Sequence, residues 1–304
     1  MELREVPRPE PTHKQVMVKV LATSVNKADW HILNGKPFPV RLMAGLFKPK
    51  YQILGADISG VVERVGKDVT QFQIGDEVFG DLSSIGFGGF AEYAIADEES
   101  LAKKPSNLNF EQSAALPIAA VTALQGLRNK GQIKAEDRIL INGASGGVGS
   151  FAIQIAKSFG AQVVAVCSTN KLQTALKLGA DSVIDYTQGD FSGSGDSFNL
   201  VFDIIGNLNA HQIDLLVKKG GRYVSCNFSS TVVLNSLYFS LFKGKKLVNM
   251  LAKVNQADLQ YVRKLAEEDK LLSEIQEVFT LDDVPEALHI MGKGRSNGKL
   301  VISV

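Results

Sequence analysis

The chain has 304 residues, 45% of them apolar and 21% charged, with a formal net charge of +1. That length passes the roughly 250–300 residues at which a single hydrophobic core stops growing, so two domains are expected. Composition excludes a disordered or collagen-like chain, the charge excludes a global attraction for nucleic acid or anionic membrane, and two cysteines, Cys167 and Cys226, exclude a disulfide framework.

The start of the chain carries Glu2, Arg4, Glu5 and Pro7, the pattern of neither a signal nor a transit peptide. The most apolar stretch, Thr231 to Phe242, is interrupted by Asn235, Ser236 and Ser240 and falls short of the about 20 residues of a membrane span. A cytoplasmic protein without membrane insertion is expected.

The first hundred residues hold short β-branched runs. Val16, Val18 and Val20 alternate with Gln15, Met17 and Lys19, the period of a half-buried strand. Ile58 to Val65 and Gly75 to Phe79 repeat the style, and Phe90 to Ala96 follows a turn at Gly86, Gly88 and Gly89. Such strands and turns predict an irregular β-barrel or sandwich.

Near Asn109 the character changes. Glu111 to Lys130 is rich in helix formers. From Arg138 strands alternate with helices. Ile139 to Ile141 is a buried strand, and Val148, Phe151, Ala152, Ile155, Ala156 and Phe159 line one face of a helix. Gln162 to Cys167, Val183 to Asp185, Leu200 to Ile204, Tyr223 to Cys226 and Lys246 to Met250 continue as strands, with a helix over Lys171 to Leu178. This alternation predicts an α/β, doubly wound parallel sheet covered on both faces. Ala257 to Lys270 reads as a helix, after which the chain returns to β style through Gly298-Lys299-Leu300-Val301-Ile302. The expected organisation is therefore residues 1–108, a second domain over 109–270, and a tail, 271–304, that rejoins the first.

The informative stretch is Asn142-Gly143-Ala144-Ser145-Gly146-Gly147-Val148-Gly149, between a buried strand and an amphipathic helix. Against the fingerprint G-x-G-x-x-G, Ala144 stands first, Gly146 second and Gly149 third. Gly146 lets the backbone approach a pyrophosphate, Gly149 lets helix and strand pack closely, and the helix start offers unpaired N–H groups. NAD enzymes place an acid at the end of the second strand, about 20 residues on, to bind the ribose 2′-hydroxyl. Here that end reads Cys167-Ser168-Thr169-Asn170-Lys171, and no acid occurs between Gly149 and Asp181. Two hydroxyls and an ammonium suit a 2′-phosphate, which predicts NADPH over NADH. The other reading of Lys171 is a solvated lysine in a first helical turn.

These residues resemble the medium-chain dehydrogenase/reductase family, in its zinc-free quinone oxidoreductase-like branch. The similarity runs over essentially the whole chain. It includes Leu54-Gly55-Ala56-Asp57-Ile58-Ser59-Gly60-Val61-Val62, Gly75-Asp76-Glu77-Val78-Phe79-Gly80, Gly88-Gly89-Phe90-Ala91-Glu92-Tyr93, the glycine turn, Val183-Ile184-Asp185-Tyr186 and the terminal Gly298-Lys299-Leu300-Val301-Ile302. The group of alkenal/enone reductases and the mitochondrial reticulon-interacting reductase is similar. The resemblance implies a chaperonin-10-like β-barrel catalytic domain with a Rossmann domain, strand order 3-2-1-4-5-6, inserted before the tail. It implies that Ser145, Gly147 and Val148 meet the pyrophosphate, and that Ser168, Lys171 and Tyr186 surround the 2′-phosphate. It places Thr122, Asn227 and the segment Asn297 to Lys299 along the nicotinamide half. In several relatives the last Rossmann strand pairs across a dimer axis, which makes Lys246 to Met250 a candidate homodimer contact. Members of the family begin with further opening strands before the point at which this chain starts.

Zinc-dependent relatives carry an early cysteine and a Gly-His-Glu where this chain has Gly55-Ala56-Asp57. The early stretch here reads Ser24-Val25-Asn26-Lys27-Ala28-Asp29, and His13, His31, His211 and His289 lack ligand spacing, so no metal is expected. Alcohol oxidation would then need another group to hold an alkoxide, whereas a quinone or the electrophilic β-carbon of an enone accepts hydride directly. The expected function is NADPH-dependent reduction of the activated C=C bond of an α,β-unsaturated carbonyl, or of a quinone, a small-molecule electrophile. Enoyl-thioester reduction and a non-catalytic NADPH-binding role are the alternatives. Asn26 is the candidate polar group at the substrate oxygen, or else a loop residue with a local turn bond. Tyr51 is either a proton donor or a structural tyrosine. The segment Ser229 to Lys245 either walls an apolar cleft, makes a subunit contact, or packs internally.

Overall fold

The structure, a computed structural model, describes residues 1–304 apart from Ser194, Phe228, Arg295 and the side chain of Met43. Its contacts divide the chain into two units, Met1–Ala119 with Val254–Asp269 and Ser273–Val304, and Ala120–Lys253 with Lys270–Leu272.

The first unit is built on a mixed seven-stranded sheet. Its strands are β1 (Gln15–Val25), β2 (Asp57–Val65), β3 (Glu77–Asp81), β4 (Tyr93–Asp97) and β5 (Leu101–Lys103). To these belong the two late strands Ile275–Phe279 and Lys299–Ser303. Lys299–Ser303 runs antiparallel to the second half of β1, pairing Ser24 with Val301, while β4 pairs with the first half, Val16 opposite Ala96. Met17, on the face expected to meet solvent, is as buried as Val16 and Val18, whereas Lys19 on that face remains exposed. The inner face packs Val16, Val18, Ile58, Val62, Val78, Leu82 and Leu101 into one core.

Two helices that the strand-rich pattern did not announce, Lys27–Asn34 and Phe38–Ala44, fill the connection from β1 to β2. Asn26 opens the first, its backbone N–H held at 2.8 Å by the carboxylate of Asp29, the reciprocal bond of a capping box.

The helix-rich run Glu111 to Lys130 is divided. Phe110–Ala114 and Pro117–Leu124 are separate helices, the second continuing through a π turn over Gln125–Lys130. Pro117 is the cause: it has no N–H to donate, and it disfavours helical geometry in the residue before it. The helix Gln256–Glu267 groups with the first unit instead of the second, its Gln256 amide donating to the carbonyls of Glu98 and Leu101 at 3.2 and 3.1 Å. The contact units divide at 119/120 and 253/254, with Lys270–Leu272 returning to the second unit, beside the 108/109 and 270/271 divisions of sequence style.

The second unit is a six-stranded parallel sheet of β6 (Arg138–Asn142), β7 (Gln162–Cys167), β8 (Ser182–Asp185), β9 (Phe198–Asp203), β10 (Val217–Ser225) and β11 (Lys246–Asn249). In space the order is β8-β7-β6-β9-β10-β11, so the chain reverses its winding between β6 and β9. This is the 3-2-1-4-5-6 order, and a crevice at the carboxyl ends of the strands opens where the order reverses. Ile139, Leu140, Ile141, Val163, Val166, Val201 and Phe202 are all fully buried, as strands covered on both faces require. Helices Gly147–Ser158, Leu172–Lys177, Ala210–Leu216 and Ser230–Tyr238 make the connections. In the last connection Val232 and Phe239 enter the core, whereas Leu234, Leu237, Leu241 and Phe242 remain 68–79% exposed.

Candidate functional site

In the second unit the turn after β6 forms a cradle. Gly143 has φ +85, and a Cβ there would lie 2.8 Å from Ile205 Cδ1. The tight left-handed step of the fingerprint is therefore taken by Gly143, one residue before the expected Ala144, which is buried. Gly149 does what its position predicts: a Cβ would run into the carbonyls of Gly143 and Ala144, so only glycine lets the helix sit on the turn. Gly146 stands at the helix start with no side-chain cap, and a Cβ there would meet only Gly143 O, in ordinary contact at 3.7 Å. The first-turn N–H groups, those of Gly147 and Val148 among them, have no intrahelical acceptor. Ser145 is buried beside them. An uncapped glycine helix start with room for an approaching group fits a dinucleotide pyrophosphate.

Asp203, at the carboxyl end of β9, organises the loop beside this turn. Its Oδ1 accepts from the backbone N–H of Ile205 at 3.0 Å and Gly206 at 2.8 Å, and from Asn142 Nδ2 at 2.8 Å. Its Oδ2 accepts from the Tyr223 hydroxyl at 2.6 Å. Burial, reinforced by the Asp203 charge, pushes the Tyr223 hydroxyl upward, so it stays protonated. Asn227 closes the same loop, its Nδ2 donating to Ile204 O and Ile205 O at 3.1 and 2.7 Å. Sequence reading named Asn227 but missed Asp203 and Tyr223. The signal was an acid and a tyrosine inside otherwise apolar strand runs.

At the end of β7 three of the residues expected at the 2′-phosphate, Ser168, Thr169 and Lys171, lie on one turn, Thr169–Lys171 forming a single 3-10 turn that Ser168 precedes. Ser168 Oγ donates to Asn170 Oδ1 at 2.9 Å. Lys171 is half-buried, and that burial pulls its ammonium below the usual lysine value. Tyr186 follows β8 and is 54% exposed. The neighbouring strand adds an acid that chain distance concealed: Asp185 Oδ2 accepts from the Thr169 hydroxyl at 2.5 Å. The parallel register makes this legible, because Cys167 and Asp185 are direct partners across β7 and β8. Thr122, also in this unit, is half-buried on the helix Pro117–Leu124.

The first unit holds a separate polar centre, wholly buried. Asp57 Oδ2 accepts from Ser24 Oγ at 2.7 Å and Asn26 Nδ2 at 2.8 Å, and Oδ1 accepts from the Ile118 N–H at 2.9 Å. Lys299 Nζ donates to Asn26 Oδ1 at 2.6 Å and to Asp57 Oδ2 at 3.4 Å. Burial lowers the Lys299 ammonium, and the Asp57 charge works against that shift. Asp29 sits alongside, its carboxyl pushed up to about 7 by burial with repulsion from Asp57 adding to it. Both ends of the Asn26 amide are thus engaged, the weakest bond being Nδ2 to Ser24 O at 3.4 Å. Asn297 leaves its side-chain oxygen buried without a hydrogen-bond partner among the described residues. Tyr51 packs edge to face on Phe87, with ring centroids 5.0 Å apart.

The chemistry of these side chains does not fit a zinc ion. Ala56 offers no ligand, and among the described residues no group of three or more His, Cys, Asp or Glu could hold a metal. No helix among the described residues is long and apolar enough to cross a membrane.

Comparison with known proteins agrees with this architecture. Residues 12–106 match the alcohol dehydrogenase GroES-like domain, and residues 178–302 match the zinc-binding dehydrogenase family. A chloroplastic quinone-oxidoreductase, QR1, of Triphysaria versicolor is 34% identical over 98% of this chain and 92% of its own. The chloroplastic NADPH-dependent alkenal/one oxidoreductase of Arabidopsis thaliana is 37% identical over 71% of this chain and 56% of its own. Among solved structures, the quinone oxidoreductase from Coxiella burnetii superposes with a TM-score of 0.87 at 34% identity, covering 98% of this chain and 93% of the other.

Proposed function

Because the chain belongs to the medium-chain dehydrogenase/reductase family, in its quinone oxidoreductase-like branch, and is an NAD(P)H-dependent oxidoreductase, we propose that it uses NADPH to reduce the activated C=C bond of an α,β-unsaturated carbonyl, or a quinone. The observation that carries the reading is the turn after β7, where Ser168, Thr169 and Lys171 occupy the place at which an NAD enzyme sets an acid on its second strand. The relatives' names, quinone and alkenal/one oxidoreductase, support the substrate class.

Bound nicotinamide supplies the hydride. Gly146, Gly147, Val148 and Ser145 hold the pyrophosphate with backbone N–H groups and a hydroxyl. Asp203, itself held by Tyr223 and Asn142, fixes the neighbouring loop through the N–H groups of Ile205 and Gly206. Thr122, Asn227, Asn297 and Lys299 are assigned to the nicotinamide half. On the substrate side Asn26 is the polar group for the developing enolate oxygen. Giving up its long bond to Ser24 O frees one N–H, while Lys299 and Asp57 hold the amide in place. Tyr51 is assigned as proton donor to the enolate. An electrophilic β-carbon needs only this orientation and a hydrogen-bond donor, which suits a donor set with no zinc ligands.

The test is a spectrophotometric screen of NADPH oxidation with enals, vinyl ketones, quinones and crotonyl-CoA, before and after treatment with a chelator. Turnover of enals, vinyl ketones or quinones, unchanged by the chelator, supports the proposal. Turnover of crotonyl-CoA alone moves the function to enoyl thioesters, and NADPH binding with no turnover at all points to a non-catalytic role.

A further inference from the structure

The parallel pairing of β7 with β8 sets Cys167 opposite Asp185. It therefore brings a carboxylate to the turn Ser168–Lys171, although no acid is near in sequence. Asp185 is firmly held there. Its Oδ2 accepts the Thr169 hydroxyl at 2.5 Å, and its Oδ1 accepts the Thr187 N–H at 2.9 Å and the Thr187 hydroxyl at 2.7 Å. The Thr169 and Thr187 hydroxyl oxygens are 3.0 Å apart. These bonds, the one from Thr169 first, keep the Asp185 carboxyl below the usual carboxylate range, so it is charged at neutral pH.

Two consequences follow for an adenosine ribose at this rim. A hydroxyl has one proton to give, and Thr169 gives it to Asp185, so it has none for a phosphate oxygen. The carboxylate, bonded to Thr169 on the turn itself, also adds a negative charge to this rim and opposes the approach of a doubly negative group. We propose that Asp185 is a specificity-determining residue that limits discrimination between NADPH and NADH, an acid acting on the 2′ position from the third strand instead of the second. The proposal rests on the assignment of Ser168, Thr169 and Lys171 to the 2′-phosphate made above.

The test measures dissociation constants for NADPH and NADH by fluorescence on the intact chain, for the parent protein, Asp185→Asn and Lys171→Ala. Asp185→Asn removes the charge and keeps the shape. It is expected to raise the preference for NADPH roughly three- to twentyfold, the scale of a screened charge pair, while NADH affinity stays within about twofold. Asp185→Ser, which supplies a hydroxyl oxygen to accept from Thr187 N–H, moves the preference the same way and serves if the asparagine variant is unstable. An unchanged or lower preference in both variants overturns the proposal. Lys171→Ala separates the two ideas. If it abolishes the preference while the Asp185 variants change nothing, the phosphate pocket stands and the role of Asp185 falls. If it changes nothing, the phosphate assignment itself fails.

Discussion

Lys299 and Asp57 form a buried ion pair, Nζ to Oδ2 at 3.4 Å, with side chains 2% and 0% exposed. They are 242 residues apart in sequence, joined because β1 pairs with both β2 and Lys299–Ser303. Two charges taken out of water are tolerated only when every remaining lone pair and proton is matched. Ser24, Asn26 and Ile118 do this for Asp57. Lys299→Met leaves the carboxylate uncompensated and is expected to cost about 3–5 kcal/mol in urea unfolding. A loss below about 1 kcal/mol, the level of an exposed pair, would contradict this reading.

Asp81 gives the first unit a pH dependence. Burial, with repulsion from Asp57 added, raises its carboxyl from 3.8 to about 7. A raised acid favours the folded state most when protonated. Its contribution is complete below about pH 4 and is lost as pH rises through about 7. Asp81→Asn keeps an acceptor for the Ser83 N–H, now bonded at 2.8 Å, and removes the ionisation. The fall in unfolding midpoint between pH 5 and 8 should shrink in this variant. An unchanged pH slope would show that Asp81 does not titrate in that range.

Much of the second unit was legible because a parallel sheet writes itself as buried apolar runs alternating with one-faced helices. Gln162–Cys167 was read to the residue. The division of Glu111 to Lys130 was less so, since propensity summed over a window hides the effect of Pro117. The pocket chemistry was half-legible. Ser168 to Lys171 are contiguous and could be read, whereas Asp185 reaches the same turn only through strand pairing. The buried centre of Asp29, Asp57 and Lys299 was the least visible, because Asp57 and Lys299 at strand starts and Asp29 in a first helical turn look like solvent-facing ends until the partner from the tail arrives.

Tyr223→Phe removes the hydroxyl that donates to Asp203, together with its contact to the Ser225 side chain. A hydrogen bond to a charged group is worth about 1.5–3 kcal/mol, and that loss of stability is expected. Because Asp203 also holds Ile205 and Gly206, hydrogen exchange at those two N–H groups should accelerate more than at the neighbouring strand amides. Uniform acceleration across the sheet would mean that Tyr223 supports the fold in general and not this loop.

Gly149→Ala places a methyl against the carbonyls of Gly143 and Ala144. Both are backbone and cannot step aside, so the helix start must lift from the turn. Overpacking of this kind costs about 1–3 kcal/mol, and a comparable part should appear as weaker binding of both NADPH and NADH. Wild-type affinity for both would place the dinucleotide elsewhere than on this turn.

The decisive measurement compares NADPH with NADH binding in the parent protein and in Lys171→Ala. The pocket after β7 predicts tighter binding of NADPH and a loss of about 1.5–3 kcal/mol for NADPH alone in the variant, the value of a hydrogen bond to a charged group. Equal affinity for the two nucleotides, untouched by removing the lysine, would contradict it.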